Sequence, residues 1–95
     1  MTRTVELRPA AERDLDRFED FLADMSELAA KRRMRWLRAE IHSLADNPRR
    51  GQARGRQRFQ LVLRYARSSY LVRYTLTRDR VIVTRIWHGK ENRPR

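Results

Sequence analysis

Hydrophobic positions change period three times along this chain. Thr4 to Leu7 alternates, with Val5 and Leu7 to one side, which predicts a short strand over residues 4–7 that ends before Pro9. The period then lengthens. Ala11, Leu15, Phe18, Leu22 and Met25 follow a 4, 3, 4, 3 spacing, the stripe of an amphipathic helix over residues 9–24. Pro9 suits its first turn, where the missing N–H is not needed. Glu12, Asp14, Asp16, Glu19, Asp20 and Asp24 fill the other faces and read as solvated surface rather than as metal or acid–base chemistry. Ala30, Met34, Leu37, Ile41 and Leu44 repeat the spacing over residues 27–46, with Ser26 placed as N-cap and Asn47-Pro48 as the stop. Two such helices separated by a short break predict an antiparallel hairpin.

Residues 47–58, NPRRGQARGRQR, have no hydrophobic period and read as a loop. Alternation returns over residues 59–65, 70–76 and 81–88, joined by short polar turns, which predicts a three-stranded antiparallel meander. One sheet face must lie under the hairpin. Strict alternation leaves Val62, Leu71, Val81, Val83 and Trp87 on the other, among Arg64, Arg73 and Arg85, and an apolar surface set with arginines suits a partner. Residues 89–95 leave the last strand as a polar tail. The whole, residues 1–95, is expected to be one α+β domain: a short N-terminal strand and an antiparallel helical hairpin packed on a C-terminal three-stranded antiparallel meander.

Composition narrows the function. The 95 residues contain no cysteine, which excludes disulfides and zinc–thiolate sites and suits a reducing cytoplasm. No apolar run approaches a membrane span and no signal-peptide core opens the chain, so a soluble cytoplasmic protein is expected. The net charge is +11, unevenly placed: residues 1–27 hold four arginines and eight acids, a balance of −4, so residues 28–95 hold 19 cations and four acids, +15. A field of that sign steers acidic partners inward. Five arginines beside two glycines in residues 47–58 suit a clamp on phosphates or carboxylates, because backbone N–H groups can join the side chains. Trp36 lies off the helical stripe, at the core's rim or on a contact surface. His42 has no ligand-type neighbour at metal-binding spacing, and neither a metal site nor a cofactor is implied.

The order of these elements, with PAAERDLDRFEDFL, LADNPRRGQ, SSYLVRY and VIVTRIWHGKENRP in sequence, resembles the RelE/ParE superfamily of toxins from type II toxin–antitoxin systems. The resemblance implies one of two modes. RelE-like members cut mRNA on the ribosome, using basic residues on the sheet and a C-terminal tyrosine or histidine; ParE-like members poison DNA gyrase without catalytic groups of their own. If this chain were a nuclease, Arg64, Arg73, Arg85 and His88 would carry the chemistry. It departs from the nuclease pattern, however, with no lysine in Phe59-Gln60-Leu61-Val62-Leu63, with Leu71 after Tyr70, with Glu91 after Lys90, and with no closing tyrosine.

The ParE-like reading is therefore favoured, with no catalytic residue. Arg85, Trp87, His88, Lys90, Asn92 and Arg93 are then expected to meet the target, supported by Arg54, Arg56 and Arg58. The resemblance also implies an acidic antitoxin, in a heterotetramer or larger complex, seated on Val81, Val83, Trp87, Trp36 and Arg73. A non-toxic nucleic-acid-binding or regulatory relative is the third reading.

Overall fold

The computed structural model describes residues 2–91. Strand β1 (Thr4–Leu7) leads into α1 (Pro9–Phe21), α2 (Glu27–His42) and a 3-10 turn (Ser43–Ala45), followed by β2 (Gln52–Gly55), β3 (Arg58–Tyr65), β4 (Ser68–Leu76) and β5 (Arg80–His88). All strands join one sheet in the order β1-β5-β4-β3-β2, in which only β1 and β5 run parallel. This is the expected α+β arrangement with a wider sheet.

The added strand corrects the reading of residues 47–58 as loop throughout. Gln52 pairs with Gln60 and Ala53 with Phe59, then the register slips before Gly55 meets Arg58. Every residue of β2 is exposed. A strand held by backbone pairing alone needs no hydrophobic alternation, so the pattern carries no trace of it. Its arginine and register slip also suit an open sheet edge, where they oppose pairing with other chains.

Helix boundaries follow local chemistry. Pro9 occupies the first turn of α1, and Ser26 Oγ accepts the Ala29 N–H at 3.1 Å to cap α2, an interaction typically worth about 1 kcal/mol. α1 stops at Phe21 rather than at residue 24, which leaves Met25 outside the stripe and 38% exposed. α2 stops at His42, and the tighter 3-10 turn carries Leu44 into the core. Ala11, Leu15 and Phe18 of α1 pack with Leu37 and Ile41 of α2 over Leu63, Val72, Tyr74 and Ile86 of the sheet.

A β-bulge decides which residues of β5 face that core. Tyr74 opposes Val83 but Arg73 opposes Arg85, so Thr84 is an extra residue and the alternation resets across it. Val81 and Val83 before the bulge lie in the same buried cluster as Ile86 after it, and both valines are 0% exposed. Their expected place on the outer face is thereby corrected: neither offers a side chain to an antitoxin. Arg85 and Trp87 remain on the outer side.

Candidate functional site

The free edge of β5 organises the C-terminal end of the molecule. β1 covers β5 only as far as Val83, so the N–H groups of Ile86 and His88 need acceptors from elsewhere. Two carboxylates supply them: Asp14 Oδ2 accepts from Ile86 N at 2.7 Å, and Glu91 Oε1 accepts from His88 N at 2.8 Å. Arg17 ties the carboxylates together, donating from Nη1 to Asp14 at 2.7 Å and from Nε and Nη2 to Glu91 at 2.6 and 3.1 Å. Arg85 reaches round the edge to Asp14 with a second fork, at 2.9 and 3.2 Å.

Burial alone would raise the Asp14 carboxyl, but hydrogen bonds from Arg85, the Ile86 N–H and Arg17 outweigh it and hold the group below its ordinary value. Burial opposes ionisation at Glu91 too, and Arg17 with the His88 N–H prevails in the same way. Arg17 itself is pushed up, first by its hydrogen bond to Glu91.

Asp14 is thus no part of the solvated acidic face expected of it; it is 2% exposed. The available signal was its place three residues after Ala11 and four before Phe18, on the flank of the apolar stripe. Glu91 likewise departs from the nuclease pattern for a local reason, since it caps the strand edge.

His88 is 4% exposed and faces the helices. Its ring stacks on Phe21 at 4.9 Å between centroids and meets Tyr70 edge-on at 5.1 Å. Nδ1 accepts the Lys90 N–H at 3.0 Å, so the histidine pins the start of the tail. Burial and then the charge of Lys90 push its pKa below the ordinary value; Glu91 pulls the other way, and Arg33 adds a smaller push down.

On the opposite face Trp87 pairs with Leu71 and lies between two guanidinium groups, those of Arg73 and Arg85, each 4.9 Å from its ring centroid. Trp87 is only 5% exposed, so the face presents chiefly Arg64, Arg73 and the 47%-exposed Val62. Arg54, Arg56 and Arg58 project from β2, its turn and the start of β3, all exposed. Tyr74 anchors the chain entering β2: its hydroxyl donates to Pro48 O at 2.8 Å and accepts from Gly51 N at 2.9 Å. A Cβ at Gly51 would stand 2.6 Å from both Gln60 O and that hydroxyl, so the close approach requires glycine.

The four residues of the nuclease reading do not converge. Arg64 and Arg73 point away from the helices and His88 points towards them. Lys90 is exposed; Asn92 and Arg93 lie outside the described residues. Among the described residues no three metal-ligating side chains cluster.

Trp36 sits at the rim of the core, half-buried and edge-on to Tyr65 at 4.9 Å. Against the same Tyr65 ring packs Arg33, which reads from the sequence as part of a basic outer face of α2 with Lys31, Arg32, Arg35 and Arg38 but is buried instead. Arg33 is 6% exposed, with its guanidinium 4.1 Å from the Tyr65 ring centroid.

A family model described as the ParE toxin of the type II toxin–antitoxin system parDE matches residues 5–93. Toxin RelE1 of Caulobacter vibrioides is 38% identical over 93 residues, covering 98% of this chain and all of that protein. Toxin RelE3 of the same organism is 28% identical over 91 residues, covering 96% and 99%. Among solved structures, a chain of the chromosomal ParDE system from P. aeruginosa superposes with a TM-score of 0.73 at 15% identity, over 90% of this chain and 94% of that one.

Proposed function

The chain belongs to the ParE toxin family of type II toxin–antitoxin systems, and from that premise we propose that it acts by binding DNA gyrase and holding its DNA-cleaved state. One observation carries this choice over RNA cleavage: His88, the proton-transfer candidate, is sealed among aromatic rings on the face opposite Arg64 and Arg73, with Nδ1 already committed to Lys90. Cleavage through a 2′-hydroxyl needs a proton acceptor and charge stabilisers at one phosphate. Binding needs only the outer arginines, the basic β2 edge and the tail. Mixing the purified protein with gyrase, ATP and supercoiled plasmid should accumulate linear DNA, and omitting gyrase should abolish it. Intact plasmid in that assay, together with fragmented mRNA on translating ribosomes, would replace this reading with the nuclease one. The RelE names of both relatives are what favour that alternative.

The protein is further proposed to work in the cytoplasm and to be neutralised by an acidic antitoxin; among the described residues no helix is long and apolar enough to cross a membrane. A groove of about 530 Å³ between α1 and α2 has Ala30 and Met34 as its apolar floor and sides of mixed charge, Lys31, Arg35 and Arg38 with Glu19 and Glu27, and offers a seat to an amphipathic segment. Trp36 at the rim and Arg73 on the outer face keep their place in the proposed antitoxin contact, whereas the buried Val81 and Val83 do not. The tail residues Asn92 and Arg93 join Lys90 in the proposed target contact.

A further inference from the structure

Among the described residues three polar or charged side chains are buried: Asp14, His88 and Arg33. The first two are matched by partners, but Arg33 is not. Its Nη1 makes one long hydrogen bond, 3.4 Å to the Tyr70 hydroxyl, its Nε is buried without an acceptor, and it has no ion pair among the described residues. A guanidinium removed from water without a counter-ion opposes folding. The position does not require it either, because Arg33 lies beside the apolar stripe of α2, where methionine or leucine would pack against Tyr65 at no electrostatic cost.

We propose that Arg33 is the receptor for a carboxylate carried by a protein partner that docks over Trp36 and Tyr65. The Tyr65 ring occupies one face of the guanidinium. The edge bearing the unfilled Nε presents two parallel N–H groups, the fork that a planar carboxylate fills with both oxygens. The fork alone suits carboxylate and phosphate alike; the burial of Arg33 beside Trp36 and Tyr65 favours a carboxylate borne by a protein, whereas the exposed Arg54, Arg56 and Arg58 offer free phosphate an open seat. Trp36 and Tyr65, both half-buried, give the same partner an apolar foothold beside the charge, and docking is proposed to shift the side chains that cover the buried Nε. The identity of the partner as the antitoxin rests on the reading above; the existence of the carboxylate site does not.

The site is tested on the free protein, labelled with nitrogen-15, by following the Arg33 Nε–H resonance, assigned by its loss in Arg33→Met. Sodium acetate should shift it saturably, while sodium chloride at equal ionic strength should not. Inorganic phosphate should instead move the side-chain signals of Arg54, Arg56 and Arg58. Arg33→Lys keeps the charge but not the fork, and should abolish the saturable acetate response of the Tyr65 and Tyr70 amides. Arg33→Met should melt at the same temperature as the parent or higher. An Arg33 signal indifferent to acetate, or one that phosphate moves further, overturns the assignment. So does a lower melting temperature for Arg33→Met, which would mean that the fold itself uses the cation. None of these outcomes depends on gyrase.

Discussion

At His88 the aromatic box of Phe18, Phe21 and Tyr70 decides the charge state, and the consequence is measurable. The folded pKa lies below the ordinary 6.5, so the unfolded chain takes up a proton that the native ring refuses. The stabilisation from neutral burial is complete above pH 6.5 and is lost as the pH falls through the folded value. Urea unfolding at pH 7.5 and at pH 5.5 should therefore give a lower stability at pH 5.5. His88→Asn, whose Oδ1 can accept the Lys90 N–H in place of Nδ1, should flatten that difference; an unchanged slope would exclude His88 as its source. Ala66 shows a second local conflict. It opens the two-residue turn between β3 and β4 at φ 53°, a conformation costly for a residue with a Cβ. Ala66→Gly should stabilise the protein by about 1 kcal/mol, read as a higher melting temperature.

Strand β5 depends on elements distant in sequence, and Arg17 is where those dependences meet. Replacing it by glutamine removes the bridge between Asp14 and Glu91 and leaves two carboxylates near one another. Because the Arg17 side chain is 35% exposed, solvent screens part of the loss, and about 1–2 kcal/mol is expected at pH 7. Both carboxylates titrate below their ordinary values of 3.8 and 4.5, so their stabilisation is full above those values and disappears as the pH falls through the folded ones. Arg17→Gln should thus also move the acid-unfolding midpoint to higher pH, and an unmoved midpoint would show the network to be irrelevant to acid stability. Truncation should expose the same network: removal of residues 90–95 should lower the melting temperature, because Glu91 leaves with the tail. Helices and central strands were legible from their periods, as were Pro9 and the Ser26 cap, since those signals are local. The bulge at Thr84, the burial of Asp14 and strand β2 were not. A bulge hides in a β-branched run that alternates acceptably in either register, Asp14 takes its role from residues 71 and 72 positions away, and an exposed edge strand buries nothing that a hydropathy pattern records.

Across the whole molecule the charge asymmetry of the chain becomes spatial. The exposed acids Glu12, Asp16, Glu19 and Asp20 line α1, which packs on β1 and β5, while Arg54, Arg56 and Arg58 mark the far edge of the sheet at β2 and β3. Such a polarised body presents its positive edge to an acidic partner before any contact is made, and this acts on the association rate more than on the final affinity. Arg54, Arg56 and Arg58 are exposed and make no ion pair among the described residues, so their replacement leaves the buried core untouched. Arg54→Glu, Arg56→Glu and Arg58→Glu together reduce the net charge from +11 to +5. At low salt the triple variant should associate with an acidic antitoxin roughly tenfold or more slowly, with a dissociation rate close to that of the parent. Raising the salt to about 1 M, where the screening length falls to about 3 Å, should bring the two association rates together. A variant slowed equally at all salt concentrations would place these arginines in the bound interface, and a variant that is not slowed would leave steering to the arginines of the outer sheet face.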